Sequence, residues 1–224
     1  MLRAVILSFV AVLAAVSAAV AAGPEPTTDE QKTLYALGIA VSQSLFSFNL
    51  SETELEMVTT GLSDGVLRKP LRADVDTYGP KIQEFQRLRL NAQAAQEKRV
   101  GQAYLDKAAA EGGATKAPSG LIITTLTPGT GASPKATDKV KVHYHGTLTD
   151  GVVFDSSIQR GAPATFPLNG VIPCWTEGVQ MMKVGGKSRF VCPPGTAYAD
   201  RGAPPRIKPG ATLVFEVELL DIVK

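Results

Sequence analysis

Residues 140–224 contain a run of short segments in which apolar and polar residues alternate. Alternation with a period of two is typical of β-strands that bury one face of a sheet. This pattern therefore favours a β-rich domain for the C-terminal part of the chain. The motifs in this region are, in chain order, VHYHGTL, GVVFDSS, VIPCWTEG, TAYAD and the closing ATLVFEVELL.

The N-terminal half has a helical period instead. Thr28 with Gln31 and Ser51 with Glu54 each form a capping box, which predicts the start of a helix. Apolar residues then recur at spacings of three and four, at Leu34, Leu37, Val41, Leu45 and Phe48 and at Leu55, Val58, Leu62 and Val66. Short helices with one apolar stripe cannot bury it alone, so both need a partner. A monomeric three-helix bundle is one way to supply it.

A third helix is predicted from about Thr77 or Pro80 to about Glu111. Its apolar face consists of Ile82, Phe85, Leu88, Ala92 and Ala95, after which Gln, Lys, Arg and Ala dominate. At ~1.5 Å per residue it would extend ~45–50 Å. Because its second half has so little apolar surface, we expect it to project as a spacer. We expect the stretch from Gly112 through Pro118 to end the helix and act as a hinge.

Residues 1–22 have the features of an export signal. Arg3 precedes an apolar run from Ala4 to about Val16, and SAAVAA follows with the small residues that signal peptidase prefers. The alternative is an uncleaved membrane anchor, because the run approaches the length of a span. The net charge of +2 is too small for nucleic-acid binding, and we expect no nucleic-acid partner.

The C-terminal motifs together resemble the FKBP family of peptidyl-prolyl cis-trans isomerases. The whole arrangement resembles the subfamily of macrophage-infectivity potentiators (Mip) and periplasmic FKBP chaperones. The resemblance implies an α+β chain with an all-α N-terminal dimerisation region, a long spacer helix, and an antiparallel half-barrel sheet wrapped on a short helix. The expected divisions are a signal peptide (1–22), a helical dimerisation domain (23–73), a connecting helix with its hinge (74–114) and an isomerase domain (115–224).

The resemblance also implies which residues form the active site. Tyr198 is the expected hydrogen-bond donor to the substrate carbonyl, with the Ile172 backbone amide as a second donor. Asp155 is the expected polar wall residue, with Arg160 as its ion-pair partner, although Asp155 could instead only cap the Ser156–Ser157 turn. Trp175 is expected to form the floor under the prolyl ring. The expected walls and further contacts are Tyr144, Phe154, Phe166, Val171, Ile207 and Phe215, of which Tyr144 is also a candidate catalytic residue.

Two positions differ from the family pattern. Ala199 follows the tyrosine of TAYAD where the family usually has Gly, which would restrict the loop if that position requires a positive φ. Ala164 stands where many eukaryotic members have Phe, so one pocket wall is thinner. A macrolide is a candidate ligand by resemblance, and the thinner wall counts against tight macrolide binding.

Cys174 and Cys192 are the two cysteines of the chain. Export permits pairing, but the sequence alone does not say whether they are close enough to form a bridge. The resemblance places both beside the pocket, so we expect a disulfide rather than two buried free thiols. His143 and His145 share one strand face but lack a third ligand, so we predict no metal site. The resemblance implies no cofactor.

The leading functional hypothesis is a prolyl isomerase acting on unfolded or partly folded proline-containing polypeptides. A holdase chaperone or surface interaction factor with incidental isomerase activity is the alternative. The resemblance implies a homodimer in the periplasm, with a secreted or outer-membrane-associated protein as a further alternative.

Overall fold

The computed structural model describes residues 24–223, so the predicted signal peptide at residues 1–22 lies outside the described residues. The described residues divide into two compact units, of which the first ends at Ala40 and the second begins at Val41. Helices α1 (Asp29–Ser42), α2 (Glu52–Val66) and α3 (Val75–Ala109) precede the strands, and a 3-10 helix at Gln43–Phe48 follows α1. No helix among residues 24–223 combines the length and apolar character needed to cross a membrane.

Both predicted capping boxes are confirmed. The Gln31 amide donates to Thr28 Oγ1 at 3.2 Å, and the Thr28 amide donates to Gln31 Oε1 at 3.1 Å. At α2, the Glu54 amide donates to Ser51 Oγ at 3.3 Å, and the Ser51 amide donates to Glu54 Oε2 at 2.8 Å. Each box satisfies N–H groups that the first turn leaves unpaired.

Helix α3 begins and ends earlier than the sequence indicated. It begins at Val75 because the Asp74 side chain caps it, accepting the Thr77 amide at 2.9 Å and the Asp76 amide at 3.3 Å. It ends at Ala109 rather than near Glu111. Pro80 therefore lies in its second turn.

The second half of α3 does not project as a spacer. Its buried residues are Ala94, Gly101, Leu105 and Ala108, which recur at helical spacing. Leu105 and Ala108 form a small core with Ile122, Val191 and Val214 of the sheet. Ala92 and Ala95, which the sequence assigned to the buried face, are exposed. The face that packs on the sheet was missed because three of its four buried residues are alanine or glycine, which add little to an apolar pattern.

Two glycines explain how closely the helix approaches the strands. A Cβ atom on Gly101 would lie 2.9 Å from Cβ of Thr212. A Cβ atom on Gly210 would lie 2.9 Å from Cα of Ala94, and Gly210 also has a φ of +75° that favours glycine. Both contacts require glycine, so α3 packs directly on the C-terminal domain.

The strands form one antiparallel sheet. They are β1 (Ala114–Lys116), β2 (Ile122–Thr127), β3 (Lys139–Leu148), β4 (Val153–Ser156), β5 (Ala164–Pro167), β6 (Lys187–Cys192) and β7 (Leu213–Val223). Their order is β1-β2-β6-β7-β3-β4, with β5 also paired to β3. Helix α4 (Pro173–Gln180) contributes Cys174, Trp175 and Val179 to the main core. The predicted α+β class, with an antiparallel sheet and a short helix, is confirmed.

The sheet buries residues on both faces in its central strands. Ile123, Phe190 and Phe215 belong to the main core, whereas their neighbours Ile122, Val191 and Val214 contact α3. Consecutive strand residues point to opposite faces, so this division follows directly from the pleat. It explains why these strands show runs of apolar residues.

The expected hinge contains a strand. Within the stretch from Gly112 through Pro118, β1 pairs with β2, placing Thr115 opposite Ile123. Glu111, just after the helix, forms an ion pair with Arg189 of β6. The connection between α3 and the sheet is therefore a paired part of the domain rather than a free hinge.

Candidate active site

A cavity of about 530 Å³ opens among the motifs that the sequence singled out. It lies between α4, strands β3, β4, β5 and β7, and the segment that follows β6. Its lining residues are Tyr144, Phe154, Asp155, Phe166, Gly170, Val171, Ile172, Trp175, Ala197, Tyr198, Arg201 and Phe215. Nine predicted site residues therefore surround one cavity.

Trp175 lies at the centre of the aromatic lining. Its ring meets those of Tyr144, Phe166 and Phe215 edge to face, with centroids 5.2, 5.8 and 5.3 Å apart. Edge-to-face packing of this kind fixes the orientation of each ring. The indole N–H is buried and has no hydrogen-bond acceptor among residues 24–223. The result is a rigid apolar surface suited to a compact apolar ring.

Gly146 allows two of the aromatic walls to approach strand β3. A Cβ atom there would lie 2.7 Å from Cζ of Phe154 and 3.1 Å from Cε1 of Phe215. Phe154 and Phe215 are themselves in edge-to-face contact, with centroids 5.4 Å apart. The glycine of VHYHGTL therefore shapes the cavity through the space it leaves.

A hydrogen-bonded network of three side chains forms the polar wall. The Tyr144 hydroxyl donates to Asp155 Oδ2, and the Arg160 guanidinium donates to Asp155 Oδ1. Arg160 Nη2 also donates to the Tyr144 hydroxyl oxygen at 2.7 Å. The Asp155 carboxylate thus has a fixed orientation at the rim. Arg160 does not itself line the cavity.

The pKa values of Asp155 and Tyr144 are shifted in opposite directions. Partial burial favours the protonated form of Asp155, but the hydrogen bonds from Tyr144 and Arg160 outweigh it and lower the pKa of that carboxyl. Burial and the hydrogen bond donated to Asp155 raise the pKa of Tyr144. At neutral pH the wall therefore presents a carboxylate and an un-ionised phenol.

The Tyr198 hydroxyl and the Ile172 amide both lie at the cavity and have no acceptor among residues 24–223. The Tyr198 hydroxyl belongs to a side chain that is 37% exposed. The Ile172 amide lies at the N-cap of α4, where helix geometry leaves N–H groups unpaired. A ligand carbonyl could accept a hydrogen bond from either group.

The loop after Tyr198 carries the departure noted in the sequence. Ala199 has a φ of 49°, a conformation that favours glycine, and its carbonyl accepts the Gly210 amide at 2.9 Å. Two ion pairs join this loop to α3, from Lys98 Nζ to Asp200 Oδ1 at 2.6 Å and from Lys208 Nζ to Glu97 Oε1 at 3.1 Å. Helix α3 therefore supports the loop next to Tyr198.

Ile207 does not line the cavity. Its side chain is 5% exposed and belongs to the main core. Its amide and carbonyl exchange hydrogen bonds with Ala203 at 3.0 and 2.8 Å. The contact of the Ile207 side chain with substrate stays a prediction.

Sequence reasoning missed three lining residues, Gly170, Ala197 and Arg201. Gly170 and Ala197 offer no side chain that would mark them as functional. Arg201 follows Tyr198 by three residues, and the short 3-10 helix at Ala199–Arg201 brings it to the rim. A local helical turn after TAYAD was the only available signal.

The two cysteines lie beneath the cavity. Cys174 of α4 and Cys192 of β6 are bonded through their sulfur atoms, with Cα atoms 5.7 Å apart, and both are fully buried. Because Trp175 follows Cys174 directly, the bond attaches the floor residue to the sheet.

The two histidines hydrogen-bond to the serines after Asp155. His143 Nδ1 lies 3.1 Å from Ser157 Oγ, and His145 Nδ1 lies 3.0 Å from Ser156 Oγ. Within the described part of the chain, no cluster of three or more His, Cys, Asp or Glu side chains could hold a metal ion.

Known proteins share both halves of this chain. Residues 131–220 match the family model described as FKBP-type peptidyl-prolyl cis-trans isomerase, and residues 30–123 match the domain amino-terminal to it. The FKBP-type isomerase FkpA of Aeromonas hydrophila is 41% identical, over 89% of this chain and 79% of its own. The FKBP-type 22 kDa isomerase of Escherichia coli is 41% identical, over 88% of this chain and 98% of its own.

A solved structure extends the likeness to the fold. The crystal structure of FkpA from Escherichia coli has a TM-score of 0.67 and 35% identity, covering 88% of this chain and 97% of that one. The chain belongs to the family of FKBP-type peptidyl-prolyl cis-trans isomerases.

Proposed function

We propose that the protein isomerises X-Pro bonds of exported polypeptides by non-covalent catalysis in the 530 Å³ cavity. The observation that carries this proposal is the combination of a rigid aromatic floor with the unpaired Tyr198 hydroxyl and Ile172 amide at the same cavity. An apolar floor suits a prolyl ring, and the donors suit the carbonyl that precedes it.

The barrier to uncatalysed rotation is ~18–20 kcal/mol because the imide bond has partial double-bond character. In the twisted transition state this resonance is lost, so catalysis requires only that the twisted form bind more tightly than either planar isomer. Trp175 and the surrounding rings would hold the prolyl ring in a site shielded from water. The Tyr198 hydroxyl and the Ile172 amide would hold the carbonyl while the bond turns.

The Asp155 carboxylate would act as a fixed negative charge in the cavity wall rather than as a base. Its two oxygens are held by Tyr144 and Arg160, and its lowered pKa keeps it ionised at neutral pH. Rotation about an imide transfers no proton, so no titrating group is needed. Tyr144 would contribute both its ring to the wall and its hydroxyl to the network.

We expect Tyr198→Phe and Asp155→Leu each to lower kcat/KM on a short X-Pro peptide. The expected loss is about 1–2 kcal/mol, or roughly five- to thirtyfold, which is the scale of one hydrogen bond or polar contact. The matched control is Tyr104→Phe, which removes a hydroxyl on α3 outside the cavity. Full activity in both cavity variants would contradict the assigned roles.

We propose that a second copy of the chain covers the apolar faces of the N-terminal helices. α1 buries none of its residues within the chain, and α2 buries only Asp64. Large apolar side chains remain exposed, including Leu34 and Leu37 at 60%, Leu62 at 51% and Val66 at 71%. Exposed apolar surface of this extent is typical of interfaces.

Light scattering tests this assembly. The chain without residues 1–22, called the mature chain below, is expected to have twice the monomer mass, and a chain beginning at Asn91 is expected to be monomeric. Leu62→Glu should shift the mature chain toward monomer because it buries a charge at the proposed interface. A mature chain of monomer mass at micromolar concentration would rule out the dimer.

We also propose export to the periplasm, supported by residues 1–22 and by a disulfide, which suits an oxidising compartment. A macrolide remains a predicted ligand of the same cavity. Ala164 pairs with Val142 and does not line the cavity, so its small side chain does not thin a cavity wall. Competition by rapamycin in the peptide assay tests macrolide binding directly.

A further inference from the structure

A second cavity, of about 590 Å³, adjoins the first and shares Val171 with it. Pro173, Thr176, Glu177 and Gln180 of α4 line it along one helix face, together with Ser119 and Asn169. Val171 and the adjacent Ile172 amide lie at the border of the two cavities. A polypeptide whose carbonyl is held at Ile172 would therefore place neighbouring side chains near this second cavity, since consecutive Cα atoms are about 3.8 Å apart.

Three side-chain donors of this second cavity are committed to the protein. The Thr176 hydroxyl donates to the Leu168 carbonyl at 2.6 Å, and Gln180 Nε2 donates to the Thr176 carbonyl at 2.7 Å. The Ser119 hydroxyl donates to Glu177 Oε2 and accepts the Leu121 amide at 3.3 Å. The uncommitted groups are Glu177 Oε1, the Gln180 side-chain carbonyl and the Asn169 side-chain amide, which offers both a carbonyl oxygen and N–H donors.

The charge of the cavity lining also favours a cationic ligand. Glu177 is the only formally charged side chain that lines the cavity in the described part of the chain, and Ser119 holds its carboxylate in place. A cavity with one carboxylate and surplus acceptors complements a cation that carries several N–H groups. A client carboxylate would instead meet the negative charge of Glu177, and no cationic side chain among the described residues lines the cavity to offset it.

We propose that this second cavity binds a Lys or Arg side chain of the client, within two residues of the proline. This inference rests on the proposed isomerase function and adds a charge preference to it. Glu177 would then be a specificity-determining residue that acts on substrate affinity and not on the rotating bond.

Four pairs of short peptides test the preference. Each pair carries Arg or the isosteric, uncharged citrulline at one of the two positions before or the two positions after the X-Pro unit's proline. For one pair we expect about two- to fivefold higher kcat/KM for Arg, mainly through a lower KM, as fits a partly exposed ion pair. This ratio should fall at high salt, because screening weakens such pairs.

Variants of two glutamates complete the test. Glu177→Gln should bring the Arg-to-citrulline ratio close to one, whereas Glu218→Gln, an exposed residue of β7 outside both cavities, should retain it. Ratios near one at all four positions in the unaltered protein, or a ratio that survives Glu177→Gln, would overturn the inference alone. Failure to accelerate any citrulline peptide would overturn the proposed function itself, and this inference with it.

Discussion

A chain that begins at Gly112 is expected to be less stable than one that begins at Asn91 by about 3–5 kcal/mol. The shorter chain lacks the second half of α3, so it loses the burial of Leu105 and Ala108 and exposes Ile122, Val191 and Val214 to water. Urea denaturation of the two fragments, extrapolated to water, measures the difference. Activity on short peptides should also fall in the shorter chain, because the loop after Tyr198 loses its ion pairs to Glu97 and Lys98.

Point variants on one helix supply the control. Leu105→Ala in the mature chain should cost about 2–3 kcal/mol, since Leu105 is buried against the sheet. Val100→Ala, at a side chain of the same helix that is 44% exposed, should cost less than about 0.5 kcal/mol. Equal stability of the two fragments would restore the hypothesis that α3 is only a spacer.

Removal of the disulfide is expected to have the second largest effect. Cys174→Ala with Cys192→Ala should lower the free energy of unfolding by about 2–4 kcal/mol, because the bridge closes a loop between residues 18 positions apart. Loss of the bond also frees the segment that carries Trp175, so peptide activity should decline with stability.

The oxidation state itself is open to direct measurement. Mass spectrometry of protein purified from the periplasm should show a mass lower by about two hydrogens than the reduced form. Because both cysteines are fully buried, labelling must be done on unfolded protein without reductant. Quantitative labelling of both thiols under those conditions would exclude the disulfide.

Motifs made of distinctive residues could be recognised in the sequence. Trp175, Tyr198 and Asp155 lie in short, distinctive patterns of aromatic and polar residues, and all three line the cavity. The capping boxes at Thr28 and Ser51 are local hydrogen-bond patterns, so they too could be predicted without knowledge of the fold.

Contacts made by small residues could not be predicted from the sequence. In the sequence, Ala94 and Gly101 lie among polar and charged residues, a pattern typical of a solvent-exposed helix face. In the structure they pack directly on the C-terminal domain. Whether an alanine or glycine lies at an interface depends on what faces it, which periodicity does not reveal.

The acceptor-lined cavity beside Val171 was also beyond sequence reasoning. Its character arises from which donors of Ser119, Thr176 and Gln180 are already bonded. These hydrogen bonds depend on contacts that α4 makes in the folded protein, for example with the turn before β2, and residue types alone do not determine them.

Magnetisation-exchange NMR on a short X-Pro peptide tests the central claim most directly. It measures the interconversion of cis and trans isomers at equilibrium. The mature chain, at catalytic concentration, is predicted to accelerate exchange without changing the two populations, because an enzyme lowers the barrier and leaves the equilibrium in place. Peptide binding that shifts the populations or broadens the signals with no gain in exchange rate would contradict the account and favour a binding module instead.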